Sequence, residues 1–269
     1  MLFHPTRFLM APVFLLVFMT MATAADYDAP LDRSFTAADG SEQAYLLRLP
    51  PAMATDVEHD LLIALHGHGS DRWQFATDTR PECQGFRDVA LEHEMIFVSP
   101  DYRAKTSWMG PKAESDVVQL IALLKAEFKI RKVVIGGGSM GASSSLTFAA
   151  LHPDLVDGVV ALNGTANHLE YEMFQEFITD SFGGTKQELP EEYWKRSAEY
   201  WPHRLTMPIA LTTSGKDTSV PPESVIRLAT ILKKLQPDVF HIHRPETGHT
   251  TNYEDTTAAM NFVLDKLER

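Results

Sequence analysis

The fold is decided by the stretch KVVIGGGSMG at residues 132–141. Its apolar first part, which ends at Ile135, predicts a strand, and the small residues from Ala142 to Leu151 predict a helix. A serine between a strand and a helix sits on a sharp turn, and the glycines on either side of it let neighbouring backbone approach closely. Ser139 is therefore the candidate nucleophile.

The chain around this stretch alternates predicted strands with predicted helices. This pattern indicates an α/β fold, with a mostly parallel sheet covered by helices on both faces. We expect strands at residues 44–49, 61–65, 95–98, 132–135, 158–162, 209–213 and 239–243, and helices at 86–94, 113–128, 142–151, 225–235 and 252–267.

The alternation lapses at residues 164–207, which are rich in aromatic residues. We expect a small helical insert here, either a lid over a substrate pocket or a packed excursion of the chain. The remaining pattern needs one domain, at residues 25–269.

Composition narrows the class of protein. The chain has 269 residues, of which 44% are hydrophobic and 22% charged, and these values are typical of a globular domain. The net charge of −12 argues against nucleic acid or an anionic membrane as partner. Cys83 is the only cysteine, so no intramolecular disulfide is expected, and we interpret Cys83 as a packing residue at a helix start.

Residues 1–24 have the pattern of a secretory signal peptide. Arg7 supplies a positive charge, residues 8–19 form an apolar run, and Ala22-Thr23-Ala24 is a small-residue cleavage site. The alternative is a retained N-terminal anchor. We expect no later stretch to be long and apolar enough to cross a bilayer. The sequence therefore predicts export, to the periplasm or the medium, after cleavage.

Two residues in late loops are candidates for the acid and the base that would activate Ser139. Asp217 follows the strand predicted at residues 209–213, and His249 follows the strand predicted at 239–243. The chain order serine, acid, histidine suits a parallel sheet, because ligands bind outside the carboxyl ends of its strands. Glu246 is the reserve acid. Read alone, Asp217 could be a turn residue and His249 a solvated loop residue.

The stretch LHGHG at residues 65–69 is a candidate oxyanion hole, because glycines there let backbone N–H groups point into a cavity. We expect one N–H from His68 and the other from Met140. Metal binding is the alternative for His66 with His68, and likewise for His241 with His243 two residues apart on one strand. The sequence signals no third ligand, so we predict no metal. Acyl transfer by a serine, a histidine and an acid also needs no organic cofactor.

Tyr102 and Trp108 lie between a predicted strand and a predicted helix. They could line a pocket for an acyl group or a sugar, because aromatic rings suit such faces. The alternative is that both pack inside the loop.

The chain resembles the α/β-hydrolases, and within them the groups around dienelactone hydrolase, feruloyl and acetylxylan esterases, polyhydroxybutyrate depolymerases and the prolyl oligopeptidase catalytic domain. The matching pieces are LHGHG at 65–69, GGSMG at 137–141, HPD at 152–154, GKD at 215–217 and GH at 248–249. The resemblance implies an α/β-hydrolase fold, the triad Ser139, Asp217 and His249, and acyl transfer through an acyl-enzyme. Two features depart from the pattern: no propeller domain is expected, and the paired cysteines of many secreted relatives are absent.

These observations predict a secreted serine hydrolase that cleaves carboxylic esters of small molecules or saccharides. A serine peptidase of prolyl oligopeptidase type and a non-catalytic binding protein on the same fold are the alternatives.

Overall fold

A computed structural model describes residues 29–51, 53 and 57–268. The predicted signal peptide at residues 1–24 lies outside these residues. The described strands are β1 (Leu31–Thr36), β2 (Glu42–Arg48), β3 (His59–Leu65), β4 (Ile96–Pro100), β5 (Ile130–Gly138), β6 (Gly158–Leu162), β7 (Ile209–Ser214) and β8 (Val239–Arg244).

The described strands form one sheet in the order β1-β2-β4-β3-β5-β6-β7-β8. β2 pairs antiparallel with β1 and with β4, and every pair from β4 to β8 is parallel. The predicted α/β fold with a mostly parallel sheet is confirmed. The carboxyl ends of the parallel strands share one edge, so the loops that follow β3, β5, β7 and β8 meet there.

The α-helices are α1 (Trp73–Thr77), α2 (Pro81–Glu92), α3 (Pro111–Glu127), α4 (Met140–Leu151), α5 (Gln175–Phe182), α6 (Pro190–Lys195), α7 (Glu223–Leu235) and α8 (Tyr253–Leu267). Buried side chains of α3, α4 and α7 share one apolar cluster on one face of the sheet, and those of α1, α2 and α8 share a second cluster on the other face. No helix in the described ranges is long and apolar enough to cross a membrane.

Two single-residue predictions have clear structural outcomes. Cys83 is fully buried in α2, where burial raises the pKa of its thiol to about 12, so it packs as predicted and is not a thiolate at neutral pH. The polar residues beside His168 in the sequence predict contact with solvent, but His168 is fully buried.

The insert at residues 164–207 contains α5, α6 and two turns of 3₁₀ helix at Ala198–Tyr200 and Pro202–Arg204. Ile178 and Tyr193 are fully buried in the same cluster as α3 and α4. Arg196 is also fully buried and joins the insert to α3, because its guanidinium donates to Glu114 and to the Met109 carbonyl. One side of the insert is therefore packed on the body of the fold.

Candidate active site

Ser139 occupies the turn between β5 and α4. Its backbone has φ 57° and ψ −120°, a left-handed conformation that is rare for a residue with a side chain. Its N–H donates to the Leu162 carbonyl at 2.9 Å, which ties the turn to the end of β6. At Gly137 and Gly141 a Cβ would collide with the Leu65 carbonyl oxygen, so both glycines are required for β3 to pass this close.

The structure brings Ser139, His249 and Asp217 into one hydrogen-bonded row. His249 Nδ1 lies 2.6 Å from Asp217 Oδ2, and His249 Nε2 lies 2.9 Å from Ser139 Oγ. A carboxylate can only accept, so Nδ1 carries the proton and Nε2 accepts from the serine hydroxyl. This tautomer lets His249 take a proton from Ser139.

Asp217 is held in place by its own loop. Its Oδ1 accepts the backbone N–H groups of Ser219 and Val220 at 2.9 and 2.8 Å, while Oδ2 faces His249. The side chain is 1% exposed. The reserve acid Glu246 is 78% exposed and pairs with Lys216, so Asp217 is the residue placed to orient His249.

The loop after β3 leaves one N–H available at the cleft. Gly67 N–H donates to Gln74 Oε1 at 2.7 Å, and Gly69 N–H donates to the Lys105 carbonyl at 2.8 Å. Between them, the N–H of His68 finds no acceptor among the described residues, and the same holds for the N–H of Met140. These are the two donors expected for the oxyanion hole: Met140 follows Ser139 in the chain, and His68 lines the same cleft as Ser139.

The histidine pairs make contacts other than with a metal. Both ring nitrogens of His66 lie near backbone carbonyls, those of Gly67 and Asp101. His241 and His243 share the hydroxyl of Thr213, and burial lowers the pKa of His241 to about 4. In the part of the chain that the structure describes, no three His, Cys, Asp or Glu side chains group closely enough to hold a metal ion.

The predicted pocket role of Tyr102 and Trp108 is wrong, and the alternative of packing inside the loop is correct. Tyr102 is 1% exposed and donates its hydroxyl to the His66 carbonyl at 2.6 Å. Trp108 is fully buried and donates its indole N–H to His68 Nδ1 at 3.2 Å. Both have positive φ, which turns the aromatic rings inward, under the loop that follows β3.

A cleft of about 600 Å³ opens over Ser139 and His249. Its walls include Gln74 and Asn163, Arg80 and Glu82 on the rim, and Phe174 from the insert. Asn163 follows β6 with φ 53° and donates to the Thr250 carbonyl at 2.8 Å, which anchors the loop of His249.

Sequence reasoning missed four of these residues: Gln74, Asn163, Arg80 and Glu82. Phe174 lies in the insert at residues 164–207, for which a lid over a substrate pocket is one of the two expectations. For Asn163 a signal was present, because an Asn directly after a buried strand is a residue type that tolerates left-handed backbone beside a site. The other three carry no comparable local signal.

The chain is similar in sequence to known hydrolases over part of its length. The prolyl oligopeptidase family matches residues 102–268. Acyl-protein thioesterase 1 of Debaryomyces hansenii is 32% identical over 141 residues, which are 51% of this chain and 50% of the relative. The chain thus spans half the length of this curated relative.

Solved structures show the same fold at low identity. Dipeptidyl peptidase 4 of Porphyromonas gingivalis superposes with a TM-score of 0.69 at 14% identity, over 89% of this chain and 36% of that one. Acylaminoacyl peptidase of Pyrococcus horikoshii gives 0.66 at 15% identity, over 88% of this chain and 40% of that one. This chain therefore covers well under half the length of each of these two peptidases.

Proposed function

We propose, since the chain belongs to the prolyl oligopeptidase family of α/β-hydrolases, that this serine hydrolase cleaves carboxylic esters through an acyl-enzyme on Ser139. The observation that carries the proposal is the row of Ser139, His249 and Asp217, with 2.9 and 2.6 Å between successive polar atoms. These distances are those of a nucleophile, a base and an orienting acid.

The first half of the reaction forms the acyl-enzyme. His249 Nε2 takes the proton of Ser139 as Oγ attacks the ester carbonyl carbon, and Asp217 stabilises the charged imidazole through Nδ1. The N–H groups of His68 and Met140 donate to the oxygen that becomes negative. His249 then gives its proton to the departing alcohol oxygen, and the ester bond breaks.

The second half releases the acid. Water takes the place of the alcohol, His249 removes its proton, and the resulting hydroxide attacks the acyl carbon on Ser139. Collapse of the second tetrahedral intermediate returns the proton to Ser139 and frees a carboxylic acid. Each proton that His249 accepts is therefore returned within the cycle, and the chain's own residues suffice for it.

Small polar esters, including carbohydrate-linked ones, suit the cleft best. Arg80, Glu82 and Asn163 bring hydrogen-bonding groups to its walls, and Phe174 adds an aromatic face. The similarity to a protein named acyl-protein thioesterase supports an ester-type bond as the bond that is cleaved.

Peptide hydrolysis is the second candidate. It is favoured by the family's name and by the two solved structures described above, both of which are named as peptidases. The same triad performs both reactions, so the substrate contacts decide between them.

A substrate panel separates these candidates. We expect the purified protein to hydrolyse acetyl and feruloyl sugar esters or short p-nitrophenyl esters with a higher kcat/KM than acyl thioesters and prolyl anilides. Faster cleavage of the prolyl anilides than of every ester would overturn the ester proposal in favour of a peptidase.

Covalent labelling tests the nucleophile and the remaining alternative, a non-catalytic binding protein. A fluorophosphonate should label the parent and the control variant Glu246→Gln, whose side chain is exposed at the surface, but not Ser139→Ala. Absence of labelling in a folded parent would favour the binding protein, whereas equal labelling of Ser139→Ala would refute the nucleophile assignment.

Export is part of the proposal and rests on the sequence pattern of residues 7–24. We expect the exported protein to begin at Ala25, as read by N-terminal sequencing of the mature form. A Cys83→Ser variant serves as a matched control, since export does not depend on a buried thiol. Retention of residues 1–24 on a membrane-bound form would indicate an anchor instead.

A further inference from the structure

The His68 side chain is enclosed by aromatic rings at the edge of the cleft. Its ring centroid lies 4.4 Å from that of Phe174, 4.6 Å from that of Phe177 and 5.9 Å from that of Trp108. These contacts come from two separate segments, the loop before α3 and the start of the insert. The imidazole is therefore held in one place by packing, independently of the backbone N–H of the same residue.

The proton on this imidazole has a defined position. Trp108 Nε1 lies 3.2 Å from His68 Nδ1, and an indole N–H can only donate. His68 Nδ1 must then accept, so the neutral ring carries its proton on Nε2. Burial lowers the pKa of His68, which keeps the ring neutral at neutral pH.

The Nε2–H group is free to act on a ligand. It has no hydrogen-bond partner among the described residues. His68 Nε2 is also not buried, so a ligand can reach it. His68 lines the cleft together with Ser139 and His249. A donor that no described residue accepts, at the wall of the reaction cleft, is placed to meet an acceptor on the substrate.

The loop that carries Trp108 has a strained backbone conformation. Trp108 and Met109 have φ of 43° and 56°, in a region that residues with side chains rarely adopt. Trp108 is fully buried, so the surrounding structure enforces this conformation. Simple packing of an indole would not require its N–H to face His68.

We infer that His68 donates its Nε2–H to an uncharged oxygen of the substrate's acyl group, and that Trp108 is the positioning residue that fixes this tautomer. Since the N–H of His68 is one of the two expected oxyanion donors, the acceptor must lie within a side chain's reach of the scissile carbonyl. Acyl groups with an ether, hydroxyl or carbonyl oxygen close to that carbonyl satisfy this requirement. The inference rests on the proposed role of Ser139 but not on esters being preferred to amides.

The tautomer is measured first, because it needs no turnover. Long-range proton–nitrogen NMR correlations of histidine-labelled protein, with the His68→Gln variant used to assign the His68 signal, should show the Nε2–H form in the parent. In Trp108→Phe, which keeps an aromatic ring but loses the N–H, the Nδ1–H form should appear. A parent His68 with its proton on Nδ1 would overturn the inference.

The substrate contact is measured with two phosphonates that label Ser139, one with a propyl chain and one with the isosteric methoxymethyl chain. His68→Gln keeps an N–H donor near the Nε2 position, and His68→Met has a similar length and no donor. Both variants keep the backbone N–H. The preference for the methoxymethyl probe should fall about 2- to 13-fold in His68→Met, as expected for one neutral hydrogen bond, and should largely persist in His68→Gln.

The outcomes are distinguishable from failure of the proposed function. Equal losses for both probes in His68→Met would limit His68 to packing and overturn the inference. Trp108→Phe should lower the preference between the probes more than it lowers propyl labelling, which a purely structural role would not do. If the parent were not labelled at all, the role of Ser139 would fail, and the NMR result would still decide the tautomer.

Discussion

Replacing Asp217 by asparagine is expected to move the proton on His249 from one ring nitrogen to the other. Asp217 Oδ1 accepts two backbone N–H groups, from Ser219 and Val220, and Oδ2 accepts from His249 Nδ1. In Asp217→Asn the amide oxygen stays with the two backbone donors, so the NH₂ group faces His249. Nδ1 must then accept, the proton moves to Nε2, and Nε2 can no longer accept from Ser139.

The size of the expected loss in kcat follows from the energy of turning the side-chain amide of the Asp217→Asn variant the other way round. Turning it to face His249 with its oxygen would aim NH₂ at both backbone donors and leave each unsatisfied, at about 1–3 kcal/mol each. The productive arrangement is therefore disfavoured by about 2–6 kcal/mol, which at about 1.4 kcal/mol per factor of ten is a loss of about 30-fold to 10⁴-fold in kcat. Serine-protease triads lose about 10⁴-fold on the corresponding change.

The assay is kcat on a p-nitrophenyl ester, with the rate of fluorophosphonate labelling as a second readout. KM should change little, and circular dichroism should show an intact fold. Glu246→Gln, which changes an exposed carboxylate of the neighbouring loop, is the matched control. A folded Asp217→Asn variant with kcat within about ten-fold of the parent would refute the reasoning, because one tautomer would then not be required.

Three further changes test the packing around the site. Gly141→Ala should abolish soluble expression or sharply lower the Tm, because its Cβ would collide with the backbone of β3, whereas Gly138→Ala has room and should fold. Burial lowers the pKa of His168 to about 3, against 6.5 in the unfolded chain. As the pH falls, the unfolded chain therefore binds the proton before the folded chain does. The free energy of unfolding should fall as the pH drops from 6.5 toward 3. His168→Gln should flatten that dependence in urea unfolding; an unchanged slope would contradict it. Arg196→Met leaves the Glu114 carboxylate without its buried partner and should lower the free energy of unfolding by about 3 kcal/mol, measured in urea. No loss would show that this ion pair does not contribute to stability.

Two strands that the sequence predicts well, β6 and β7, are buried on both faces. β6 is a continuous apolar run and β7 begins with one, and neither strand has an exposed residue, so their composition marks them. β1 is absent from the prediction because it is an edge strand, exposed or half-exposed along its whole length, and it lacks both an apolar run and a clear alternation. The five-residue helix α1 is too short to show a periodicity.

The catalytic row is predictable because chain order and strand ends define it. Asp217 and His249 each follow a predicted strand, and parallel strands bring those ends to one edge. The inward turn of Tyr102 and Trp108 could not be predicted in the same way. It depends on positive φ at two pairs of consecutive residues of the 102–109 loop, 102–103 and 108–109, and the segment contains no glycine to signal it.

The position of the oxyanion donor is a property of tertiary structure and not of the motif that contains it. The turn of residues 66–69 is held by the hydroxyl of Tyr102 on the His66 carbonyl, by Gln74 on the Gly67 N–H, and by Trp108 on the His68 ring. These three partners come from two segments outside the motif, and Phe174 of the insert packs on the same ring. A glycine-rich loop alone would leave several amide directions open. Because each of the partners fixes a different atom of the turn, the backbone that carries the His68 N–H is held in place before a substrate arrives, and preorganisation of this kind is what makes an oxyanion donor effective.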